Sequence, residues 1–422
     1  MKFLKPLHYF YQHHVPEESV RFRLKGQMPK FWPPQPNRFW KMILAPISFL
    51  HGKAFMRLTH IEYVHVDETF RQCKAGDGIL IAPNHSHEVD AYVLSQTSKR
   101  VRRHFYYMAA WPAFTMWGGL GGWVLQKMGA FSVDRDGADR RAIRCASDLL
   151  SSGETLVIFP EGEIHRLNDR LKPILDGAAF IALNAYHELQ KNQSQADIWI
   201  VPAAVRYKFV EDIRPEMEKA IADLEKHFAW YKSKAQATLR DRIVALGELI
   251  LTIKEKEKLG NSYENEHDLP KRIQNLIDAL LSRHEKEYSI KSSADESTSL
   301  RVKALRRKSL EIWTNEEESE EARTHAKQVL DDVQLSLQLS SYPGDYIAEE
   351  PSIERMAETI EKFQEDIYGA IRPIGKRKAW LIFGEPISLK SIDYSRHKRD
   401  IITGLTSDIE QAITDIMKRR PF

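Results

Sequence analysis

Short apolar runs bounded by glycine or proline recur through the first half of the chain. Ile79–Ala82 lies between Gly78 and Pro83, and similar runs occupy Met108–Ala110, Gly129–Val133, Leu156–Phe159 and 198–205. Each reads as a short buried strand. Ile61–Val66 alternates as a strand, with Gly76–Ala82 expected beside it, and Ala379–Phe383 returns as a strand near the C-terminus. Helical spacing fills the intervals. Ser86 is placed to cap a helix whose first turn holds Glu88 and Asp90 and which continues through Ala91, Tyr92, Val93 and Leu94. A helix over 138–152 has Ile143, Ala146, Leu149 and Leu150 as its buried stripe. Another ends near His187, and 398–419 forms a last amphipathic helix. The pattern predicts an α/β domain with a mixed central sheet flanked by helices, its polar turns meeting at strand ends.

From Glu211 to about Ala370 the pattern changes. Met217, Ile221, Leu224, Phe228 and Tyr231 repeat at steps of four and three, as do Leu239, Ile243, Leu246, Ile250 and Ile253. This near-heptad stripe predicts long helices packed as a hairpin or bundle. Further helices are expected at 269–287, 300–313, 320–339 and 351–371, with the serine-rich stretch Ser289–Ser299 as a mobile linker.

Composition adds limits. With 422 residues, 42% hydrophobic and 29% charged, the chain is globular and long enough for a sizeable core. Its two cysteines, Cys73 and Cys145, form no disulfide framework, which suits a reducing, cytosolic-side location. The net charge of +3 conceals an asymmetry, because residues 1–60 hold ten Lys/Arg against two Asp/Glu. That segment also carries Tyr9, Phe10, Tyr11, Phe31, Trp32, Phe39 and Trp40, a mixture suited to an anionic membrane surface. No nucleic-acid recognition module follows it, so nucleic acid is not expected as a partner. The basic start is not followed by an apolar h-region, so no signal peptide is expected. Apolar positions at helical spacing over 37–58 give either a core-packed or an interfacial helix. Lys99–Arg103 is a basic cluster, read as a solvated face or as phosphate attraction. Phe105 to Gln126 contains no charged residue, but Pro112 and four glycines weaken a simple spanning helix. The stretch reads as a surface segment dipping into the bilayer, a wall of an acyl-chain groove, or a glycine-rich core helix.

The polar turn after Ile79–Pro83 is the richest in chemistry: Asn84, His85, Ser86, His87, Glu88 and Asp90. On one continuous helix His85 and Asp90 would be about 140° apart and would not meet. With His85 in the turn and only Asp90 helical, the carboxylate can reach an imidazole nitrogen. The pair would then act as a base, Asp90 fixing the tautomer and His85 taking a proton from a hydroxyl. A metal site is the rival for His85, His87, Glu88 and Asp90. Metallohydrolases with a His-x-His core place Asp two residues after the second His, where this chain has Val89, so no metal is expected. Ser86 lacks a Gly-x-Ser-x-Gly elbow, which favours direct attack by a substrate hydroxyl over a covalent intermediate on Ser86. Arg135 offers a bidentate partner for a phosphate monoester. Glu161 and the backbone around Gly162 could orient substrate hydroxyls, with glycine allowing close approach.

In order and spacing, Asn84-His85…Asp90, Gly129…Arg135, Phe159-Pro160-Glu161-Gly162 and Val201-Pro202 resemble the four blocks of the glycerolipid acyltransferases. The likeness covers roughly residues 60 to 210, with an echo at Phe383-Gly384-Glu385-Pro386-Ile387. The resemblance implies His85 and Asp90 as the catalytic pair and Arg135, Glu161 and Gly162 as the acceptor site. Asn84, Glu163 and Arg166 are further candidates for substrate contact. It also implies an acyltransferase domain at 61–210 and 376–422, split at the change of pattern by a large all-helical insertion at 211–375; residues 1–60, by their charge and aromatics, are expected as a membrane-associating segment. The expected reaction moves an acyl chain from a thioester of coenzyme A or acyl carrier protein to lysophosphatidic acid, with no cofactor. Expected partners are the cytoplasmic face of a membrane, bound peripherally or monotopically, the acyl carrier and the lysophospholipid. The insertion is a candidate surface for self-association. One departure keeps the acceptor open: Glu163 and Ile164 stand where the family usually has Thr and Arg, with His165 and Arg166 just beyond. Another lysophospholipid or glycerol 3-phosphate is the alternative acceptor. A non-catalytic membrane adaptor and a metal-dependent hydrolase are the alternatives of another class.

Overall fold

The computed structural model describes residues 30–44, 57–135, 137, 139–228, 237–262, 266–293, 296–369 and 371–419. Of the N-terminal segment expected at the membrane, 1–29 and 45–56 lie outside the described residues, and with them most of the helix expected over 37–58. The chain falls into two compact units. One comprises Phe31–Val133, Asp139–Glu211 and Gly375–Phe422; the other gathers Asp212–Ile374 with the short stretch after Val133 that holds Asp134, Arg135 and Gly137.

The first unit is built on one sheet of β1 (Leu58–Val64), β2 (Gly78–Pro83), β3 (Phe105–Ala110), β4 (Ala130–Val133), β5 (Thr155–Val157), β6 (Ile198–Phe209), β7 (Arg377–Phe383) and β8 (Ile387–Ser388). The order is β1-β7-β6-β2-β5-β3-β4, with β8 paired to β6. β2 runs parallel to both β5 and β6, and β3 parallel to β5 and β4, so the C-terminal ends of these strands share one edge of the sheet. β7 is antiparallel to β6, which makes the sheet mixed. The expected neighbours β1 and β2 do not pair. β1 instead runs parallel to β7, because the connection between them is not a tight turn but contains a short helix, and the late strand β7 fills the space beside β6.

Helices cover both faces. They are residues 38–44 (α1), Val66–Arg71 (α2), Asp90–Arg100 (α3), Pro112–Thr115 (α4), Leu120–Met128 (α5), Arg140–Ser151 (α6), Gly177–Lys191 (α7) and, after the insertion, a C-terminal helix at Lys398–Lys418. Alternate residues of β2 serve opposite faces. Leu80 and Ala82 join a core with Ala146, Leu150, Leu189, Ile409 and Ile413. Ile79 and Ile81 join another with Val93, Leu94, Val201 and Val205. Burial on both sides explains why β2 reads as a continuous apolar run rather than an alternation. Gly78 allows α6 its close approach, since a Cβ there would lie 2.1 Å from the Leu150 carbonyl oxygen. The uncharged stretch after Phe105 is shared between β3, a buried turn at Ala113 and Phe114, and α5, whose Leu120 is exposed. No helix among the described residues is long and apolar enough to cross a membrane.

Between β6 and β7 the described residues form helices and loops and no strand. These are α8 (Arg214–His227), α9 (Leu239–Leu259), α10 (Leu269–Glu287), α11 (Thr298–Thr314), α12 (Glu320–Ser340), α13 (Tyr346–Glu349) and α14 (Ile353–Tyr368); the C-terminal helix Lys398–Lys418 is α15. Local signals set their starts. Thr238 and Asp241 form a reciprocal capping box, while Asp268, Ser297, Ser319 and Ser352 each accept a first-turn N–H. Leu276, Ile277 and Leu280 of α10 pack with Val302 and Leu305 of α11 and with Val329 and Val333 of α12. Ser297 is thus a helix cap at the end of the serine-rich stretch expected to link α10 and α11.

Candidate active site

β2 ends at Pro83, and the chain must leave the sheet without losing its hold on the longer β6. Asn84 takes over where the backbone ladder stops. Its Oδ1 accepts the Val205 N–H at 2.7 Å and its Nδ2 donates to the Val205 carbonyl at 3.1 Å. Asn168 repeats the device two residues on, accepting from Tyr207 N–H at 2.6 Å and donating to its carbonyl at 2.8 Å. Two side-chain amides therefore extend the sheet and pin both motif loops to β6. Asn84, a candidate for substrate contact, is buried and used in this way.

His85 follows in the turn, and Asp90 is the first residue of α3. His85 Nδ1 lies 3.0 Å from Asp90 Oδ2, with Asp90 fully buried and His85 slightly exposed. Oδ2 also accepts the His87 N–H at 2.8 Å, and Oδ1 accepts the Tyr207 hydroxyl at 2.5 Å. Burial, reinforced by the Asp90 charge, holds the Tyr207 phenol well above its usual range, so it stays a donor. The imidazole stacks on Phe159 with centroids 3.9 Å apart. With Nδ1 donating to Asp90, the lone pair belongs to Nε2, which has no protein partner among the described residues. The helix starts later than expected. Ser86 Oγ is buried without a hydrogen-bond partner among the described residues, and Asp90 takes its place by binding the His87 N–H.

Glu161 braces this turn from the next motif. Phe159-Pro160-Glu161-Gly162 is a turn closed by Gly162 N–H to the Phe159 carbonyl at 3.1 Å. Gly162 is at φ +76°, a conformation that other residues rarely adopt, so the turn calls for glycine. The turn sends the Glu161 side chain inward. Its Oε1 accepts the His85 N–H at 2.6 Å and its Oε2 the Lys172 N–H at 3.1 Å. Burial pushes this carboxyl up to about 8, against the two backbone donors.

The remaining candidates are placed differently. Arg166, at φ 52°, is buried and forms a two-pronged ion pair with Glu88, one arm at 3.0 Å. Glu88 is also 3.1 Å from His87 Nδ1. Arg166 is thus turned toward Glu88. Glu163 lies half-buried in the loop after Gly162, and Arg135 lies in the exposed turn after β4, within the other compact unit. The structure therefore brings Asn84, His85, Asp90 and Glu161 together at the ends of β2 and β5. Sequence reasoning missed Tyr207, Phe159 as a stacking partner, Asn168 and the Glu88–Arg166 pair. Tyr207 stands at the alternating position after Ala203 and Val205, a signal shared by any strand residue.

Residues 61–206 match the family model described as Acyltransferase. Among solved structures the chain is similar to the crystal structure of the 1-acyl-sn-glycerophosphate (LPA) acyltransferase, PlsC, from Thermotoga maritima. That likeness has 17% identity, covers 44% of this chain and 66% of that chain, and has a TM-score of 0.25. No curated protein matches the chain. The chain therefore carries, at residues 61–206, a domain that matches the acyltransferase family.

Proposed function

We propose that the protein moves a fatty acyl chain from a thioester, on coenzyme A or acyl carrier protein, to lysophosphatidic acid, giving phosphatidic acid at the cytoplasmic face of a membrane. The observation that supports this most is the His85–Asp90–Tyr207 chain, with Nδ1 tied at 3.0 Å and Nε2 left for substrate. In the proposed step Nε2 takes the acceptor hydroxyl proton while the oxygen attacks the thioester carbonyl. The tetrahedral intermediate then expels the thiolate, which takes the proton from His85, so no cofactor and no acyl-enzyme are needed. Asp90 holds the tautomer and the developing imidazolium. Glu161, first considered for the glycerol hydroxyls, is read as positioning His85 through its backbone, since both oxygens already accept N–H groups. Arg135 is proposed as the acceptor-phosphate partner on the family resemblance.

The test is acyl transfer from a long-chain thioester to vesicle-borne lysophosphatidic acid. His85→Ala should abolish transfer and leave the unfolding transition unchanged; retained transfer would remove the mechanism. Arg135→Ala should cost about 1–3 kcal/mol in kcat/KM for the phosphate monoester and little for a phosphodiester lysolipid. Equal losses on both acceptors would reassign that residue.

A further inference from the structure

Within the helical unit, two helices bring together a set of side chains that the acyl-transfer reading does not use. His284 and Glu287 are three residues apart on α10 and so share a face, and His325 comes from α12. Among the described residues, one nitrogen of each histidine and a Glu287 oxygen all lie within 4.8 Å of one another.

The surroundings fix which nitrogen is offered. His284 Nε2 is 2.9 Å from Asp332 Oδ2, and the other Asp332 oxygen is 2.7 Å from Lys258 Nζ. Asp332 is thus an acceptor, so Nε2 carries the proton and the Nδ1 lone pair points to the other side. There it faces Glu287 Oε2 at 3.2 Å. The second Glu287 oxygen faces His325 Nε2 at 2.5 Å. His325 can donate a proton of its own to Glu287, but the His284 Nδ1 lone pair and the Glu287 carboxylate face each other and need a proton or a cation between them. Two imidazolium rings with centroids 6.2 Å apart would repel each other, whereas a single dication would serve all three groups.

We propose that His284, Glu287 and His325 form a zinc-type divalent metal site joining α10 to α12. A tetrahedral ion with bonds of about 2.0–2.1 Å holds its ligand atoms roughly 3.3 Å apart, close to the His284–Glu287 spacing. The half-exposed His325 side chain lies against the other Glu287 oxygen at 2.5 Å and needs to shift to take its place on the ion. Two imidazoles and a carboxylate select Zn²⁺ and its first-row neighbours over Mg²⁺ or Ca²⁺. A histidine whose far nitrogen donates to a carboxylate is the usual support for such a ligand, and Asp332 provides it. Glu287 and His325 are partly open to solvent, which gives the ion an entry path and leaves the fourth position to water.

The experiment strips the full-length protein with chelator and titrates Zn²⁺ against a chromogenic competitor. One equivalent should bind at or below about 1 µM, and the helical signal should unfold at higher temperature with the metal. His325→Ala and Glu287→Gln, both on partly exposed side chains, should each weaken binding at least tenfold. Cobalt substitution should give visible tetrahedral absorption that His325→Ala abolishes. The surface variant His65→Ala should change nothing. Binding unchanged in both ligand variants, or no binding up to about 100 µM, would overturn the site and leave a protonated histidine–carboxylate network. None of these readouts involves acyl transfer, so this inference stands or falls apart from the proposed function.

Discussion

Asp90 Oδ1 has one described partner, the Tyr207 hydroxyl, and that makes Tyr207 separable from the base itself. Tyr207→Phe removes a donor from a fully buried carboxylate while keeping the ring. Transfer should fall by roughly 5- to 30-fold in kcat, about 1–2 kcal/mol, with KM for the acceptor unchanged. Asp90→Asn should cost far more, about a hundredfold or greater, because an amide can present a donor to Nδ1 and invert the tautomer. Steady-state kinetics of the two variants decide this; equal losses would mean that Tyr207 acts on structure rather than on the base. Glu161 gives a different signature. Its folded pKa of about 8 exceeds the ordinary 4.5, so its contribution to stability is full below pH 4.5 and is lost as pH rises toward 8. The stability difference between wild type and Glu161→Gln should shrink across that window in denaturant titrations. A difference independent of pH would show that the two backbone N–H donors keep the carboxylate ionised throughout. The His85–Asp90 contact was legible because the two residues are local and only the helix start had to be judged. Tyr207 was not, since its partner is 117 residues away and strand periodicity says nothing about what a side chain meets across a sheet end.

Elements were legible where the apolar period was long. The longer helices of the insertion and the C-terminal helix fall close to their expected bounds, since each has several turns of stripe, and α9, α10, α11, α12 and α14 also carry a side-chain cap. Pairing was less so. β1 lies beside β7 because strand adjacency depends on a residue range more than 300 positions later, which no local pattern encodes. The segment around α1 mixes both cases. Trp40 on α1 meets Trp123 on α5 edge to face at 4.7 Å, and Gln35 and Asn37 donate N–H bonds to the carbonyls of Gln126 and Lys127. This docks one face of α1 and leaves Phe39, Met42 and Ile43 in solvent, with Leu120 exposed at the start of α5. Apolar side chains on adjoining helices beside the exposed Arg38 suit an interfacial role. Phe39→Ser with Met42→Ser should weaken partition to anionic vesicles at least tenfold, about 1.4 kcal/mol, while transfer to a soluble short-chain acceptor is kept. Cosedimentation at low and high salt measures it. Equal binding by the double variant would assign the patch to something other than lipid.

At the scale of the whole molecule, the break in composition after Glu211 marks where the sheet is interrupted. The sequence could not show how closely its two ends meet. Phe209 and Arg377 are register partners, Val210 N–H donates to the Lys376 carbonyl at 3.0 Å, and Lys376 N–H donates to Glu211 at 3.0 Å. The chain thus leaves and re-enters the sheet at adjacent points of an antiparallel pair, where a hairpin turn would suffice. Neither core flanking the sheet contains a residue from 212–374, and the cluster of α10, α11 and α12 draws all its members from that range. Loop-closure cost grows only slowly with length, so removing a long insertion between paired ends changes it little. A variant that joins Glu211 to Gly375 through Asn-Gly should therefore keep a cooperative unfolding transition and the near-ultraviolet signal of the buried Trp380. It should lose the zinc binding proposed for His284, Glu287 and His325. If the base at His85 works as proposed, it should also retain acyl transfer to a soluble acceptor. Loss of cooperative folding would show that the sheet depends on the insertion for stability; a folded but inactive variant would place part of the chemistry in the helical unit.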